Sequence, residues 1–152
     1  MNESTAPAGE NLLLGTWRLK SYVQLLETGE RYDVYGEHPD GYISYAADGR
    51  MYVIATADRR MEPGSETPPD EEQIRLYQTM FAYAGTYMVE GDKVVHSVDI
   101  SWNQSFTGSK QVRFYTLAGN VLTITTAPNT FTIEGREGPL VAVWEKVKAP
   151  TR

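Results

Sequence analysis

Alternation of apolar and polar side chains runs through most of this chain. From Gly15 onward, short segments with an apolar residue at every second position are separated by turns containing glycine, proline or aspartate. A period of two gives a β-strand one apolar face, so the pattern predicts a strand-rich protein. In the first segment, residues 16–26, the phase slips near Ser21 and Tyr22, which predicts a β-bulge.

Turn residues divide the remaining alternating segments. Asp48 and Gly49 lie between residues 41–45 and 50–57, both of which are strand-like. Because both turn residues tolerate positive φ, this is the strongest hairpin signal in the chain. Four or five further strands are predicted between residues 85 and 147, which gives about eight to ten strands in all.

A single segment has helical rather than strand-like spacing. Residues 58–70 predict a long solvated loop, or a lid over a site, because they are rich in charge and proline. Beyond the loop, Asp70 is predicted to be the N-cap of one amphipathic α-helix over residues 70–83. Its apolar positions are Ile74, Tyr77, Met80, Phe81 and Ala84.

Hairpin-connected strands of this number predict an all-β fold, a single antiparallel up-and-down β-barrel with one inserted helix. Closing the sheet removes its exposed edges, and about eight strands leave room inside for side chains or one small ligand. A β-sandwich is the alternative. Residues 1–11 are polar and predict a disordered leader, and residues 12–148 predict one barrel domain.

Composition narrows the possible functions. The 152 residues include no cysteine, which excludes disulfides and thiolate chemistry, and the formal net charge of −6 disfavours nucleic acid as a partner. No secretory signal or apolar run long enough to span a bilayer is visible, so a cytoplasmic location is expected. Ten tyrosines and three tryptophans suit the walls of a pocket for an apolar ligand.

Several segments carry a family resemblance. Leu14-Gly15-Thr16-Trp17-Arg18-Leu19 resembles the Gly-x-Trp motif that opens the first strand of lipocalins and their calycin relatives. Over residues 12–147 the chain is similar to the small bacterial and fungal lipocalin-like domain proteins. The other segments that carry the likeness are Gly41-Tyr42-Ile43-Ser44-Tyr45, Asp48-Gly49-Arg50-Met51, Tyr83-Ala84-Gly85-Thr86-Tyr87, His96-Ser97-Val98, Gln111-Val112-Arg113-Phe114 and Val143-Trp144-Glu145-Lys146. The resemblance implies a barrel with an interior cavity and a structural Trp17 that closes its floor.

His96 is the first candidate for chemistry. On the predicted strand 93–102 it shares the apolar, inward face with Val94, Val98, Ile100 and Trp102. A buried imidazole needs hydrogen-bond partners. The alternatives are a core histidine satisfied by a tyrosine or a backbone carbonyl, a ligand contact, and a general acid or base.

Arg113 is the second candidate. The strand 111–117 admits two phases: Arg113 and Tyr115 face inward with Leu117, or Val112 and Phe114 face inward and Arg113 is solvated. We favour the first phase. An inward guanidinium would require an acceptor from the protein or from a ligand.

Further aromatic and polar residues complete the candidate ligand-binding set. For each tyrosine, simple packing is the alternative. Only two histidines are present, His38 and His96, and they lie on separate segments, so no metal site is predicted. Nucleotide and nucleophile motifs are absent, and no cofactor is predicted. The remaining candidates are Tyr45, Tyr52, Tyr83, Tyr87, Trp102 and Asn103.

Three functions are compatible with these features. The first is intracellular binding of a small apolar or aromatic metabolite inside the barrel. The second is a cofactor-free isomerase, cyclase or lyase acting on an aromatic or polyketide-like molecule. There His96 would transfer a proton, and Arg113 or a tyrosine would stabilise negative charge on an oxygen. The third is an interaction module with a filled barrel. The oligomeric state is left open.

Overall fold

The structure is a computed structural model that describes residues 11–127, 132–133 and 135–148. Residues 1–10, most of the predicted leader, lie outside the described residues. The described part is built mostly of strands. In chain order, the elements are β1 (Gly15–Leu25), β2 (Arg31–Asp33), β3 (Asp40–Tyr45), β4 (Arg50–Thr56), α1 (Asp70–Gln78), β5 (Met80–Glu90), β6 (Lys93–Ser101), a short 3-10 helix (Gln104–Phe106), β7 (Lys110–Ala118), β8 (Val121–Thr125), β9 (Thr132–Ile133), β10 (Arg136–Glu137) and β11 (Leu140–Lys146).

Eight antiparallel strands close into a barrel. Their order is β1-β3-β4-β5-β6-β7-β8-β11, and β11 pairs back onto β1 from Trp17↔Lys146 to Gln24↔Leu140. The short strand β2 adds to the end of β1, and β9 pairs with β10 in a separate two-stranded sheet. Continuous pairing around the ring confirms the predicted all-β up-and-down barrel and excludes the sandwich.

The predicted Asp48-Gly49 turn joins β3 to β4. Gly49 has φ of 88°, a left-handed conformation that favours glycine, and the Asp48 carboxylate accepts a hydrogen bond from the Arg50 backbone N–H at 3.0 Å. The turn sets the register in which Tyr45 pairs with Met51. Both side chains are buried in the barrel.

Two bulges decide which side chains face inward. The first shifts the β1–β11 register between Leu19 and Ser21, close to the slip that the sequence predicts. The second lies in β6, where Ala84 pairs with Ile100 but the next residue, Gly85, pairs with Val98. Each bulge inserts one residue, so the inward phase changes beyond it.

The bulge in β6 overturns one part of the prediction for that strand. Val94, His96 and Val98 are buried as expected, but Ile100 is 65% exposed. The alternating pattern alone placed Ile100 on the inner face. The extra residue, Asp99, turns Ile100 outward because it breaks the period of two.

The helix is shorter than predicted and is not buried. It ends at Gln78, because Met80 and the following residues pair with β4, from Thr56↔Met80 to Arg50↔Thr86. Backbone pairing with an existing strand therefore outweighs the helical spacing. Pro69 is the N-cap in place of the predicted Asp70, with no side-chain capping hydrogen bond, and no residue of α1 is buried.

Large apolar side chains pack one end of the barrel. Trp17 lies there as the resemblance implies, and its indole N–H donates to the Leu13 carbonyl at 3.0 Å. Met51, Val94 and Leu122 are fully buried with it. Across the described residues, no helix has the length and apolar character needed to cross a membrane. The cytoplasmic location stays a prediction.

Candidate ligand-binding site

A cavity of about 280 Å³ lies inside the barrel. Its walls are mostly aromatic and aliphatic, and residues from β1, β3, β4, β5, β8 and β11 contribute to them. Apolar lining with a few polar groups is typical of sites for small organic molecules. Among the apolar or aromatic lining residues are Tyr22, Tyr35, Ile43, Val53, Phe81 and Ile124.

One end of the cavity approaches solvent through half-buried aromatic side chains. Trp102 and Phe106 line it, with ring centroids 5.3 Å apart in an edge-to-face arrangement. Tyr77 of α1 lies 6.0 Å from the Trp102 ring. The exposed helix α1 therefore lies beside this end of the barrel, away from the packed end that holds Trp17.

His96 lies between two tyrosines. It is 1% exposed, and its Nε2 atom is 2.8 Å from the Tyr45 hydroxyl while Nδ1 is 2.7 Å from the Tyr83 hydroxyl. Burial, and secondarily the positive charge of Arg113, lower the pKa of His96 from 6.5 to about 3. The imidazole is therefore neutral near pH 7, and both ring nitrogens are hydrogen-bonded.

The two tyrosines that hold His96 are themselves protonated. Burial raises the pKa of Tyr45 well above 10, and burial also raises the pKa of Tyr83. Tyr83 lines the cavity together with His96, whereas Tyr45 lies outside the lining, behind the imidazole. The three side chains form a hydrogen-bonded chain that ends at the cavity wall.

Arg113 brings a positive charge to the cavity. Its side chain is half-buried and lines the wall, and its guanidinium donates to the Val112 carbonyl at 3.0 Å and to Gln111 Oε1 at 3.1 Å. Tyr115 and Leu117 pack against the core, and Val112 is exposed. Strand β7 therefore has the favoured inward phase.

Two tryptophans of the cavity wall carry hydrogen-bond donors that are not used within the described residues. The Nε1 atoms of Trp102 and Trp144 are buried, and neither has a partner in that part of the chain. Thr126 also lines the cavity, and its hydroxyl oxygen accepts from the Leu140 backbone N–H at 2.8 Å. A buried donor without a partner is costly, so such groups call for an explanation.

Comparison with known proteins places the chain in a family. Residues 14–147 match the family described as lipocalin-like domain. The chain belongs to this family. The match covers nearly all of the barrel, from the Gly-x-Trp segment to the end of β11, and it confirms the resemblance found in the sequence.

Two solved structures are similar to this lipocalin-like domain. One is a lipocalin-like protein from Bacteroides uniformis, 14% identical over 89% of this chain and 98% of that chain, with a TM-score of 0.47. The other is a protein from Bacteroides eggerthii, 13% identical over 89% of this chain and 99% of that chain, with a TM-score of 0.45. Comparison with curated proteins gives no match.

The lipocalin-like barrel brings four of the sequence-predicted residues together at the cavity. They are Tyr83, His96, Trp102 and Arg113. Tyr83 does so as part of β5, whereas the sequence placed it at the end of the helix. Trp102 reaches the cavity although it follows the bulge, because β6 ends at Ser101 and the chain turns there into the 3-10 helix.

The other predicted tyrosines lie away from the cavity wall. Tyr52 is 51% exposed on the outer face of β4, because the alternation of that strand buries Met51 and Val53 instead. The Tyr87 hydroxyl donates to the Ala46 carbonyl at 2.9 Å, and its ring packs on Tyr45 with centroids 4.8 Å apart. Neither Tyr52 nor Tyr87 belongs to the cavity lining.

Asn103 and Tyr115 serve local structure. The side-chain oxygen Oδ1 of Asn103 accepts from the Ser105 backbone N–H at 3.1 Å, which caps the 3-10 helix. The Tyr115 hydroxyl donates to the Gly91 carbonyl at 3.2 Å, near the β5–β6 turn. Neither belongs to the cavity lining.

Sequence reasoning missed several residues of the wall. Tyr22 faces the cavity because the β1 bulge changes the inward phase after Leu19. The sequence indicates the bulge, but the inward phase beyond it is set by the register of β1 against β11. Tyr35 and Phe106 lie outside strands, where period-two alternation gives no direction. Trp144 lies both in the hydrophobic core and at the cavity wall.

Proposed function

We propose that this lipocalin-like domain binds a small apolar or aromatic molecule in the barrel cavity. The cavity itself carries the proposal. Its volume of about 280 Å³ is close to the lower end of the range of about 300–1,000 Å³ typical of small-molecule sites, so it suits a compact ligand. An interaction module with a filled barrel would leave no such space.

Ring surfaces at one end of the cavity support an aromatic occupant. Tyr22, Tyr35 and Phe81 form one cluster, with ring centroids 5.1–6.2 Å apart. Planar apolar ligands gain both burial and favourable ring geometry against such walls. The polar groups on the lining, Tyr83 and Arg113 among them, would fix the orientation of the ligand.

The isomerase, cyclase or lyase alternative gains no support from His96. A general acid or base must exchange a proton with the substrate near the working pH. Here both imidazole nitrogens are occupied by tyrosine hydroxyls, and burial holds the pKa at about 3. The arrangement fits the predicted core histidine satisfied by a tyrosine, so binding is the function that the geometry favours.

A cavity-filling variant tests the proposal. In Ala142→Phe, a ring would occupy space at the cavity wall, since Ala142 is buried and lines it. Val143 is the next residue of β11, lies on the opposite face of the strand and is outside the lining, so Val143→Phe is the matched control. Isopropylbenzene, a compact apolar probe, is titrated into each protein by calorimetry.

We expect the wild type and Val143→Phe to bind isopropylbenzene and Ala142→Phe to lose at least about tenfold in affinity, since a filled site forfeits the burial of the ligand. Circular dichroism checks that each variant folds, and Ala142→Leu supplies a milder filling if the phenylalanine does not fit. Native mass spectrometry of freshly purified wild type shows whether a molecule co-purifies. Equal affinity in all variants would place binding elsewhere and overturn the proposal.

A further inference from the structure

One hydroxyl hydrogen in the hydrogen-bonded chain Tyr45–His96–Tyr83 is not used by the hydrogen bonds within that chain. A neutral imidazole has one N–H donor and one acceptor nitrogen. Both nitrogens contact a tyrosine hydroxyl, so one tyrosine must donate to His96 and the other must accept from it. The tyrosine that accepts keeps its own hydroxyl hydrogen for another partner.

The surroundings decide which tyrosine accepts. Tyr45 is 1% exposed and lies outside the cavity lining, and His96 is the one hydrogen-bond partner of its hydroxyl among the described residues, so a hydrogen that it did not give to His96 would be buried without an acceptor. Leaving a buried donor unpaired is unfavourable. Tyr83 lines the cavity, where a ligand can take its hydrogen. The favoured chain therefore runs from the Tyr45 O–H to Nε2, and from Nδ1–H to the Tyr83 oxygen.

Two residues of the cavity wall carry further donors that are unpaired within the described part of the chain. Trp144 is almost wholly buried and Trp102 is half-buried, and the indole N–H of each has no partner among the described residues. Indole can only donate. Of the described side chains that line the cavity, none is a carboxylate or a carboxamide. The described wall offers more donors than acceptors.

We propose that Tyr83, Trp102 and Trp144 select a ligand that carries an acceptor oxygen, such as a ketone, aldehyde or carboxylate on an apolar or aromatic frame. The inference rests on the proposed function and specifies its ligand class. A tyrosine that already accepts a hydrogen bond becomes a better donor, so the chain through His96 strengthens the contact. Pure hydrocarbons and protonated amines, which have no acceptor atom, would leave these donors unpaired.

Acetophenone and isopropylbenzene form a matched pair for the test, because a carbonyl oxygen in the first stands where the second has a methyl group. Tyr83→Phe removes the hydroxyl, and Tyr87→Phe removes a hydroxyl outside the cavity as the control. We expect Tyr83→Phe to weaken acetophenone about tenfold, the loss of one buried hydrogen bond, and to leave isopropylbenzene unchanged. Tyr87→Phe should alter neither affinity.

Nitrogen-15 NMR of the imidazole supplies a readout that does not depend on a ligand. The chain has two histidines, so His38→Asn assigns the signals of His96. We expect the proton on Nδ1. Tyr45→Phe removes the donor to Nε2, so the imidazole proton can move to Nε2 and Nδ1 can accept from Tyr83. The Tyr83 hydrogen is then shared between His96 and the ligand. This variant should therefore weaken acetophenone in part, although Tyr45 does not line the cavity.

The outcomes separate the two proposals. If both probes bind the wild type but Tyr83→Phe affects them equally, the ligand class is wrong and cavity binding stands. A proton found on Nε2 would likewise overturn the inference. If the wild type binds neither probe, the proposed function fails, and the ligand class fails with it. Unchanged isopropylbenzene affinity in Tyr83→Phe also shows that the variant keeps its cavity.

Discussion

Trp17 and Trp144 are both 2% exposed, yet they sit in regions of opposite character. Trp17 lies at the packed end of the barrel, donates to the Leu13 carbonyl, and has the Lys146 ammonium 4.7 Å from its ring centroid. Trp144 borders the cavity, and its N–H has no partner in the described part of the chain. The two tryptophans are therefore equally buried but differ in whether the indole N–H has a hydrogen-bond partner.

The difference separates a stabilising region from a candidate binding region. At the packed end, apolar volume is filled and the indole donor is used, as in an ordinary protein core. At the cavity end, a void is present, and hydrogen-bond donors of the wall have no partner among the described residues. Natural proteins depart from full packing and full hydrogen bonding mainly where function requires it. Three sets of measurements test the difference between the two ends of the barrel.

The largest effect is expected for Trp17→Ala, which should lower the free energy of unfolding by about 3–5 kcal/mol, as for large-to-small changes in packed cores. Trp102→Ala should cost less than about 2 kcal/mol, because that side chain is half-buried and borders an existing void. Urea unfolding of both variants measures the difference. Similar losses would mean that the two ends are equally packed.

The second effect is acid destabilisation through His96. Its pKa is about 3 in the folded protein and 6.5 without burial, so between these values the unfolded chain binds a proton that the native state excludes. Stability should therefore fall as the pH drops below 6.5, by about 1.4 kcal/mol per pH unit from this group and about 3 kcal/mol by pH 4.5. Urea unfolding at several pH values measures the slope.

His96→Gln supplies the comparison for that slope, since an amide does not titrate but still offers a donor and an acceptor. The variant should lose less stability between pH 6.5 and about 4.5 than the wild type. His38 is exposed, so His38→Gln should keep the steep wild-type dependence. Parallel slopes for the wild type and His96→Gln would contradict a neutral, buried imidazole.

The smallest effect comes from a matched pair on β8. Leu122 and Ile124 both point inward, but only Ile124 lines the cavity. Leu122→Phe should overpack the closed end and cost about 2 kcal/mol, whereas Ile124→Phe should cost less than about 1 kcal/mol because its ring can enter the void. Thermal unfolding compares them. Equal costs would show that the cavity cannot accept added volume.

The alternation of apolar and polar side chains along the chain is enough to predict the barrel. Period-two segments, the Asp48-Gly49 turn and the β1 slip predict strands, hairpins and a bulge, and all of these appear. The strand pattern also placed His96 inside the barrel. These features depend on local geometry, since the direction of a side chain along a regular strand follows from its position in the sequence.

The lining of the cavity depends on contacts between strands that are distant in the sequence. The end of α1 at Gln78, the outward turn of Ile100 and the inward turn of Tyr22 all follow from pairing with neighbouring strands. Tyr45 and Tyr83 meet His96 across 51 and 13 residues of sequence. The sequence of one strand indicates which side chains face inward. It does not indicate which side chains they contact, because those contacts are set by the register of strands distant in the chain.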